Sequence, residues 1–121
     1  MPSDHLIVEK YDGIVLVRIT KERILDASVI VPLGDELMRE IDRHARLSMV
    51  LDLSGVGYMS SAFIGRLIAL HKGIAAAKGR LAIAGVRPSI QPIFKAMHLD
   101  KIMTFYPEAE AAILYYRRKP L

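Results

Sequence analysis

The stretch LDLSGVGYMSSAFIGRL, residues 51–67, decides the fold of this chain and carries its most informative chemistry. It joins a buried strand at 48–53 to a helix that begins at a pair of serines, Ser60 and Ser61, and runs from about residue 62 to 78. An apolar run interrupted by one carboxylate is typical of a buried strand. A serine at a helix start can cap free amides, and those amides and the helix dipole also favour a phosphate placed on it. The segment therefore combines a structural device with a candidate switch.

Strand and helix patterns alternate along the rest of the chain. The dipeptide Asp12-Gly13 lies between two β-rich runs and predicts a hairpin. A helical pattern follows over 27–45, and Pro32 and Gly34 are expected to split or kink it near its start. The remaining predicted elements are strands at 6–11, 14–20, 81–86 and 102–105, a short helix over 88–97, and a last helix from Pro107 to about Arg117.

This order, β-β-α-β-α-β-α-β-α, predicts an α/β fold. Alternating strands and helices imply parallel neighbours joined by right-handed crossovers, and the opening hairpin adds an antiparallel edge. We expect one domain over residues 1–121, with a core of about 5–117, a mixed four- to five-stranded sheet and about four helices. Partners of such sheets usually meet the carboxyl ends of the parallel strands. That edge is predicted to hold Asp52, Ser54, Ser60, Ser61 and the turn 85–88.

The composition of the chain excludes several classes of protein and of site. The chain has no Cys, which excludes disulfides, thiolate metal sites and cysteine nucleophiles, and suits a reducing compartment. The amino terminus lacks a signal-peptide pattern, and no apolar run reaches the roughly 18 residues of a membrane span. A cytoplasmic protein without membrane contact is expected, and a monomer when free. The net charge of +4 is spread along the chain, so the short basic cluster 117–119 predicts a solvated tail and not a nucleic-acid contact.

Catalytic chemistry is not indicated. The four histidines, at 5, 44, 71 and 98, have no metal-ligand spacing, and no cofactor motif is present. The Gly-x-Ser-x-Gly elbow of a hydrolase and a phosphate-binding loop are also missing. The chain is therefore predicted not to be an enzyme, and a phosphate on its serines has to come from a separate kinase.

The helix after the serines is expected to have a docking face. Its apolar positions fit packing on the sheet, whereas another face collects small and basic residues. Two readings stay open for this second face: docking of a partner, which Arg66 and Lys72 would attract if it is acidic, or packing against a neighbouring helix of the same chain. We also expect Tyr58 and Met59 to form an exposed apolar loop tip, and Asp52 to be a buried carboxylate that shapes the loop with Ser54. The second face consists of Ala62, Gly65, Arg66, Ala69, Lys72, Gly73 and Ala76.

An ordered set of short motifs resembles the STAS domain of bacterial anti-sigma factor antagonists. The set begins with 50–54, Val56 and Tyr58-Met59, continues with Gly65 and the run 78–81, and closes with 99–102, Phe105 and Glu108-Ala109. In this resemblance Ser61 falls at the position of the phosphorylated serine, with Ser60 as the second choice. The resemblance implies a switch: the unphosphorylated form binds an anti-sigma factor that is a serine kinase, phosphorylation releases it, and a phosphatase resets the system.

Three features depart from the family pattern. Ser60 stands where an Asp is common, Ala62-Phe63 replaces a small pair, and the chain is basic where many antagonists are acidic. The missing Asp before Ser61 and the bulky Phe63 favour an alternative, a non-phosphorylated scaffold module of a larger signalling assembly. A second alternative is a STAS domain that binds a small ligand at the strand ends.

Overall fold

The computed structural model describes residues 5–121, in which the predicted α/β fold is confirmed. Five strands form one mixed sheet in the order β1-β2-β4-β6-β7, and two short strands, β3 and β5, form a separate parallel pair. Within the large sheet β1 and β2 are antiparallel, and the other neighbours are parallel. The strands are β1 Leu6–Tyr11, β2 Ile14–Ile19, β3 Arg23–Ile24, β4 Ser48–Asp52, β5 Tyr58–Met59, β6 Arg80–Ala84 and β7 Thr104–Tyr106.

Helices cover the sheet unequally. One face packs on α1, α2 and α3 in a large apolar cluster, and the other face packs mainly on α4 through a smaller one. Because both faces of β4 are covered, all five of its residues are buried. The helices are α1 Ala27–Asp42, α2 Ser61–Ala76, α3 Gln91–Ala96 and α4 Ala109–Arg118, with a 3-10 turn at Leu99–Lys101.

The hairpin predicted at Asp12-Gly13 is confirmed. Both residues have positive φ, 50° and 83°, as a two-residue turn of type I′ requires. The turn sets the register, in which Tyr11 lies opposite Ile14 and Leu6 opposite Ile19.

The prediction that Pro32 and Gly34 split the first helix is wrong, and a kink at these residues stays a prediction. Helix α1 is one element with Pro32 inside it. The proline removes one amide donor, whereas the buried side chains of Leu33 and Leu37 anchor the turns after it. Asp26 caps the helix through the Ser28 amide, with 3.1 Å between N and Oδ1. Hydrogen bonds from Ser28 hold the pKa of the Asp26 carboxyl below its usual range.

Several boundaries differ from those predicted. The short segment around Arg23, which was not among the predicted strands, forms β3 alongside β5. The last strand begins at Thr104 and leaves Ile102 exposed. Helix α2 ends at Ala76, whereas the prediction ran to about residue 78. Lys78, after the helix, has a left-handed backbone with a φ of 62°. Gly79 allows close packing after the helix, because a Cβ at this position would collide with the Leu47 carbonyl.

Candidate partner-binding site

The connection between β4 and α2 is held to the sheet by its own backbone. The Leu53 amide donates to the Ala84 carbonyl, and the Val56 amide to the Leu53 carbonyl, each at 2.9 Å. The side chains of Leu53 and Val56 are fully buried. Leu53 and Val56 therefore anchor the first half of the loop in the core, whereas Ser54 and Gly55 between them are exposed.

Asp52 closes the turn at the end of β4. Its Oδ1 accepts a hydrogen bond from the Ser54 amide at 2.9 Å, and its Oδ2 lies 3.4 Å from Nε of the partly exposed Arg18. Asp52 is only 7% exposed. A Cβ on Gly85 would lie 2.9 Å from Asp52 Oδ1, and Gly85 also has a φ of +71°. These contacts give Asp52 and Gly85 a structural role in the turn that supports the site.

The second half of the loop is tied to β3. The amides of Gly57 and Tyr58 donate to the Glu22 carbonyl, and the Ser60 amide donates to the Ile24 carbonyl, at 2.9 to 3.0 Å. From the other side, the Ser89 hydroxyl donates to the Gly57 carbonyl at 2.9 Å. The serine pair is thus presented on a braced loop.

The two serines have different environments. Ser60 occupies the N-cap position, but its side chain makes no capping hydrogen bond, and its Oγ is buried without a hydrogen-bond partner. Ser61 is the first helical residue and is exposed. Phe63 is fully buried in the core, so it adds no bulk to the exposed surface around Ser61. Ser61 therefore presents the accessible hydroxyl of the pair.

The helix dipole at the amino terminus of α2 is not compensated by a negative charge in the first turn. No acidic residue lies in its first turn, and the Ser60 side chain does not cap it. The positive end of the helix dipole therefore lacks a carboxylate of its own, and a phosphate at Ser61 would be favoured there by about 0.3–1 kcal/mol.

Tyr58 and Met59 do not form the exposed tip that the sequence predicts. Tyr58 is 48% exposed, and the Arg23 guanidinium carbon lies 4.4 Å from the centre of its ring. Met59 is buried, because it lies in β5 beside Ile24 and its side chain joins the core. Only the Tyr58 part of the pair is accessible to a partner.

Part of the second face of α2 packs against the neighbouring helix α1, and the rest is exposed and free to contact a partner. Gly73 packs on α1, where a Cβ would lie 2.9 Å from Ile41 Cδ1. Arg66 also packs on α1: its Cδ lies 2.9 Å from a Cβ built on Gly34, and its Nη1 lies 3.4 Å from Asp35 Oδ1. The remainder of this face is solvent-exposed and is called the small-residue stripe; it comprises Ala62, Gly65, Ala69, Lys72 and Ala76.

Sequence reasoning placed the turn 85–88 at this edge but did not single out the charged residues that flank the loop, Glu22, Arg23 and Arg87. A Cβ built on Gly57 would lie 3.1 Å from Arg87 Nη1 and 3.3 Å from Glu22 Oε1. Glu22 and Arg23 are adjacent in sequence, whereas Arg87 comes from a separate segment, the turn after β6. The parallel pairing of β3 with β5 places Arg23 beside Tyr58, and the packing around Gly57 brings Glu22 and Arg87 together.

An apolar pocket of about 300 Å³ lies between α3 and β7, away from the serines. Its walls include Phe94 and Phe105, whose rings meet edge to face at 5.6 Å. Over residues 5–121 the structure shows no cluster of acidic residues and histidines suited to a metal ion. Within the same residues, no helix combines the length and the apolar character needed to cross a membrane.

Comparison with known proteins identifies the family. The STAS domain model matches residues 5–112, almost the whole chain. The chain belongs to the STAS domain family. The match spans the sheet, the loop, Ser61 and the start of α4.

Solved structures of anti-sigma factor antagonists share this STAS fold. The antagonist from Mycobacterium paratuberculosis superposes with a TM-score of 0.80 at 21% identity, over 93% of this chain and 92% of that one. The antagonist SpoIIAA in its unphosphorylated form gives 0.73 at 18% identity, over 96% and 97%. The Bacillus cell fate determinant SpoIIAA in the phosphorylated form gives 0.65 at 18% identity, over 88% and 95%. At such identities the likeness concerns the fold.

Proposed function

We propose that this STAS domain is a regulatory protein-binding switch of the anti-sigma factor antagonist type, with Ser61 as its phosphorylation site. The unphosphorylated form binds an anti-sigma factor that is also a serine kinase, phosphorylation releases that partner, and a phosphatase restores the binding form. The domain acts in the cytoplasm by binding, not by catalysis. The observation that carries the proposal is the contrast between the exposed Ser61 and the buried Oγ of Ser60.

The position of Ser61 suits a switch that leaves the fold intact. A phosphate adds about 1.5 to 2 negative charges at neutral pH. On the protein side, the free helix amino terminus favours this charge. A partner packed over Ser61 must desolvate the same charge and meets repulsion from any carboxylate of its own. Phosphorylation therefore weakens binding without unfolding the domain. SpoIIAA, which shares the fold, is itself known in both forms.

The proposed contact surface combines Ser61 with its exposed neighbours. Tyr58 lies on one side, and the small-residue stripe extends along α2 on the other. Small side chains allow the backbone of a partner element to approach α2 closely, and Lys72 adds a positive charge to the surface. Arg66, held by α1, borders it.

The test is a binding measurement with matched variants. Wild-type protein, Ser61→Ala, Ser61→Asp and Ser60→Ala are immobilised and exposed to extract of the native cells, with and without ATP. The proposal expects wild type, Ser61→Ala and Ser60→Ala to retain a serine kinase, and Ser61→Asp to lose it. Added ATP should release the kinase from wild type but not from Ser61→Ala, and peptide mapping should find the phosphate on Ser61. If Ser61→Asp binds as well as wild type, the switch is refuted.

A second candidate is a scaffold module that is never phosphorylated. The small-residue stripe favours it, because this surface is exposed whatever the state of Ser61. A scaffold predicts one stable complex that is indifferent to ATP and to Ser61→Asp. It would be disrupted by a bulky substitution within the stripe.

A further inference from the structure

The first strand is an open edge of the sheet. Within residues 5–121, β1 has a partner only on its β2 side, and its six residues pair there without interruption. The opposite edge, β7, is limited to three residues. Short edge strands, bulges and prolines are the usual protection against strand addition. Strand β1 has none of these three devices; its protection is limited to the charged side chains of Glu9 and Lys10.

The register shows which backbone groups are free. The Thr20 amide donates to the His5 carbonyl at 2.8 Å, and these residues lie opposite each other in the register that pairs Leu6 with Ile19. In an antiparallel pair, residues alternate between those that bond to the neighbouring strand and those whose N–H and C=O point away. The N–H and C=O groups of Leu6, Val8 and Lys10 therefore point outward from the sheet.

We propose that β1 pairs antiparallel with β1 of a second copy of this chain and joins two sheets into one of ten strands. The two copies are related by a two-fold axis perpendicular to the sheet. Each face of one sheet therefore continues into the same face of the other. Val8 then lies opposite Val8 of the second copy, and Leu6 opposite Lys10. All the outward groups of the three residues find partners, which gives about six backbone hydrogen bonds.

This register is the best of those available. A shift of one residue would oppose outward-pointing groups to inward-pointing ones. A shift of two in one direction leaves the outward groups of Lys10 without a partner in the strand, and a shift of two in the other places Glu9 against Glu9. In the proposed register Ile7 lies opposite Glu9, and no like charges are directly opposed.

Exposed apolar side chains on β1 support self-association. Ile7 is 49% and Val8 40% exposed, and pairing would cover part of both. The contact is smaller than the roughly 1,200 Å² of a standard stable interface, so association is weak. A dissociation constant between about 1 µM and 1 mM is expected. The sequence alone indicated a monomer; the edge of the sheet supplies a reason for a dimer.

The test uses charges placed on the two-fold axis. Val8→Lys and Val8→Glu each oppose like charges across the axis, and each should weaken dimerisation at least about tenfold in sedimentation velocity. An equimolar mixture should dimerise again, because opposite charges then meet. The control is Leu114→Lys on α4, where the side chain is 50% exposed against 40% for Val8, and it should dimerise as wild type does.

A second measurement needs no substitution. In wild-type protein the amides of Leu6, Val8 and Lys10 should exchange with solvent more slowly as concentration rises. A wild type that stays monomeric at about 1 mM, a mixture that stays monomeric, or a Leu114→Lys variant that loses the dimer would each overturn the proposal. No kinase enters these experiments, so their failure leaves the switch at Ser61 untouched.

Discussion

Ser54 donates its backbone N–H to the Asp52 carboxylate, with 2.9 Å between N and Oδ1, and this bond closes the turn that leads from β4 toward Ser61. The same carboxylate lies 3.4 Å from Arg18 Nε and against Gly85. One side chain therefore connects the site loop to strand β2 and to the turn after β6.

Removal of the Asp52 carboxylate should destabilise the protein. Asp52→Ala leaves the Ser54 amide and part of the Arg18 guanidinium without their acceptor, so we expect the free energy of unfolding to fall by about 1–3 kcal/mol. Asp52→Asn keeps an acceptor for Ser54 and should lose less. Urea denaturation of the three proteins measures both differences. An equal loss in the two variants would show that the charge, not the turn hydrogen bond, is what stabilises the loop.

A negative charge at Ser61 should be tolerated by the fold. Because Ser61 begins α2 and no acidic residue lies in the first turn, Ser61→Asp should raise the free energy of unfolding by about 0.3–1 kcal/mol at low salt. The gain should shrink in 1 M salt, where the Debye length is only about 3 Å.

The matched control for this charge is Ala69→Asp, an exposed position in the middle of α2. It carries the same charge away from the helix terminus and should give no gain. A marked loss of stability in Ser61→Asp would contradict the view that phosphorylation changes binding and not folding.

The sequence predicted the elements whose signals are local. The run 48–53, the Asp12-Gly13 turn and the helix after the serines each carry their own pattern, and the structure contains all three. The geometry of the loop between β4 and α2 could not be predicted from local sequence signals. Strands β3 and β5 have two residues each, too few for a periodic signal, and Met59 is buried only because that pairing exists.

The division of the α2 surface also depends on contacts distant in sequence. The spacing of small and basic residues placed Gly65, Arg66 and Gly73 on one face of α2, but it could not say where α1 crosses that face. Gly34 and Met38 supply that information: both lie on α1, against Arg66 and Gly73. Likewise, the choice between the two serine hydroxyls depends on burial of the Ser60 Oγ, which no local pattern predicts.

Tyr116 should make the protein less stable as the pH becomes alkaline. Burial raises the pKa of its phenol, although the Arg80 guanidinium, 3.9 Å from the ring centre, works in the opposite direction. The stabilising contribution of the neutral phenol is complete below the unfolded pKa of about 10 and is lost as pH rises above it. Wild type should therefore lose free energy of unfolding more steeply above pH 10 than Tyr116→Phe. Parallel pH profiles of the two proteins would argue against a buried phenol.

The two glycines of α2 should respond differently to substitution. A Cβ on Gly65 meets nothing within 4 Å, so Gly65→Ala should gain up to about 1 kcal/mol from helix propensity. Gly73→Ala should gain less, because its Cβ would press on Ile41 and Met38. Thermal unfolding measures both.

Gly65→Leu should remain folded but block a partner that lies on the small-residue stripe, whereas Gly65→Ala should still bind. A Gly65→Leu protein that is stable and binds the partner with unchanged affinity would place the interface elsewhere.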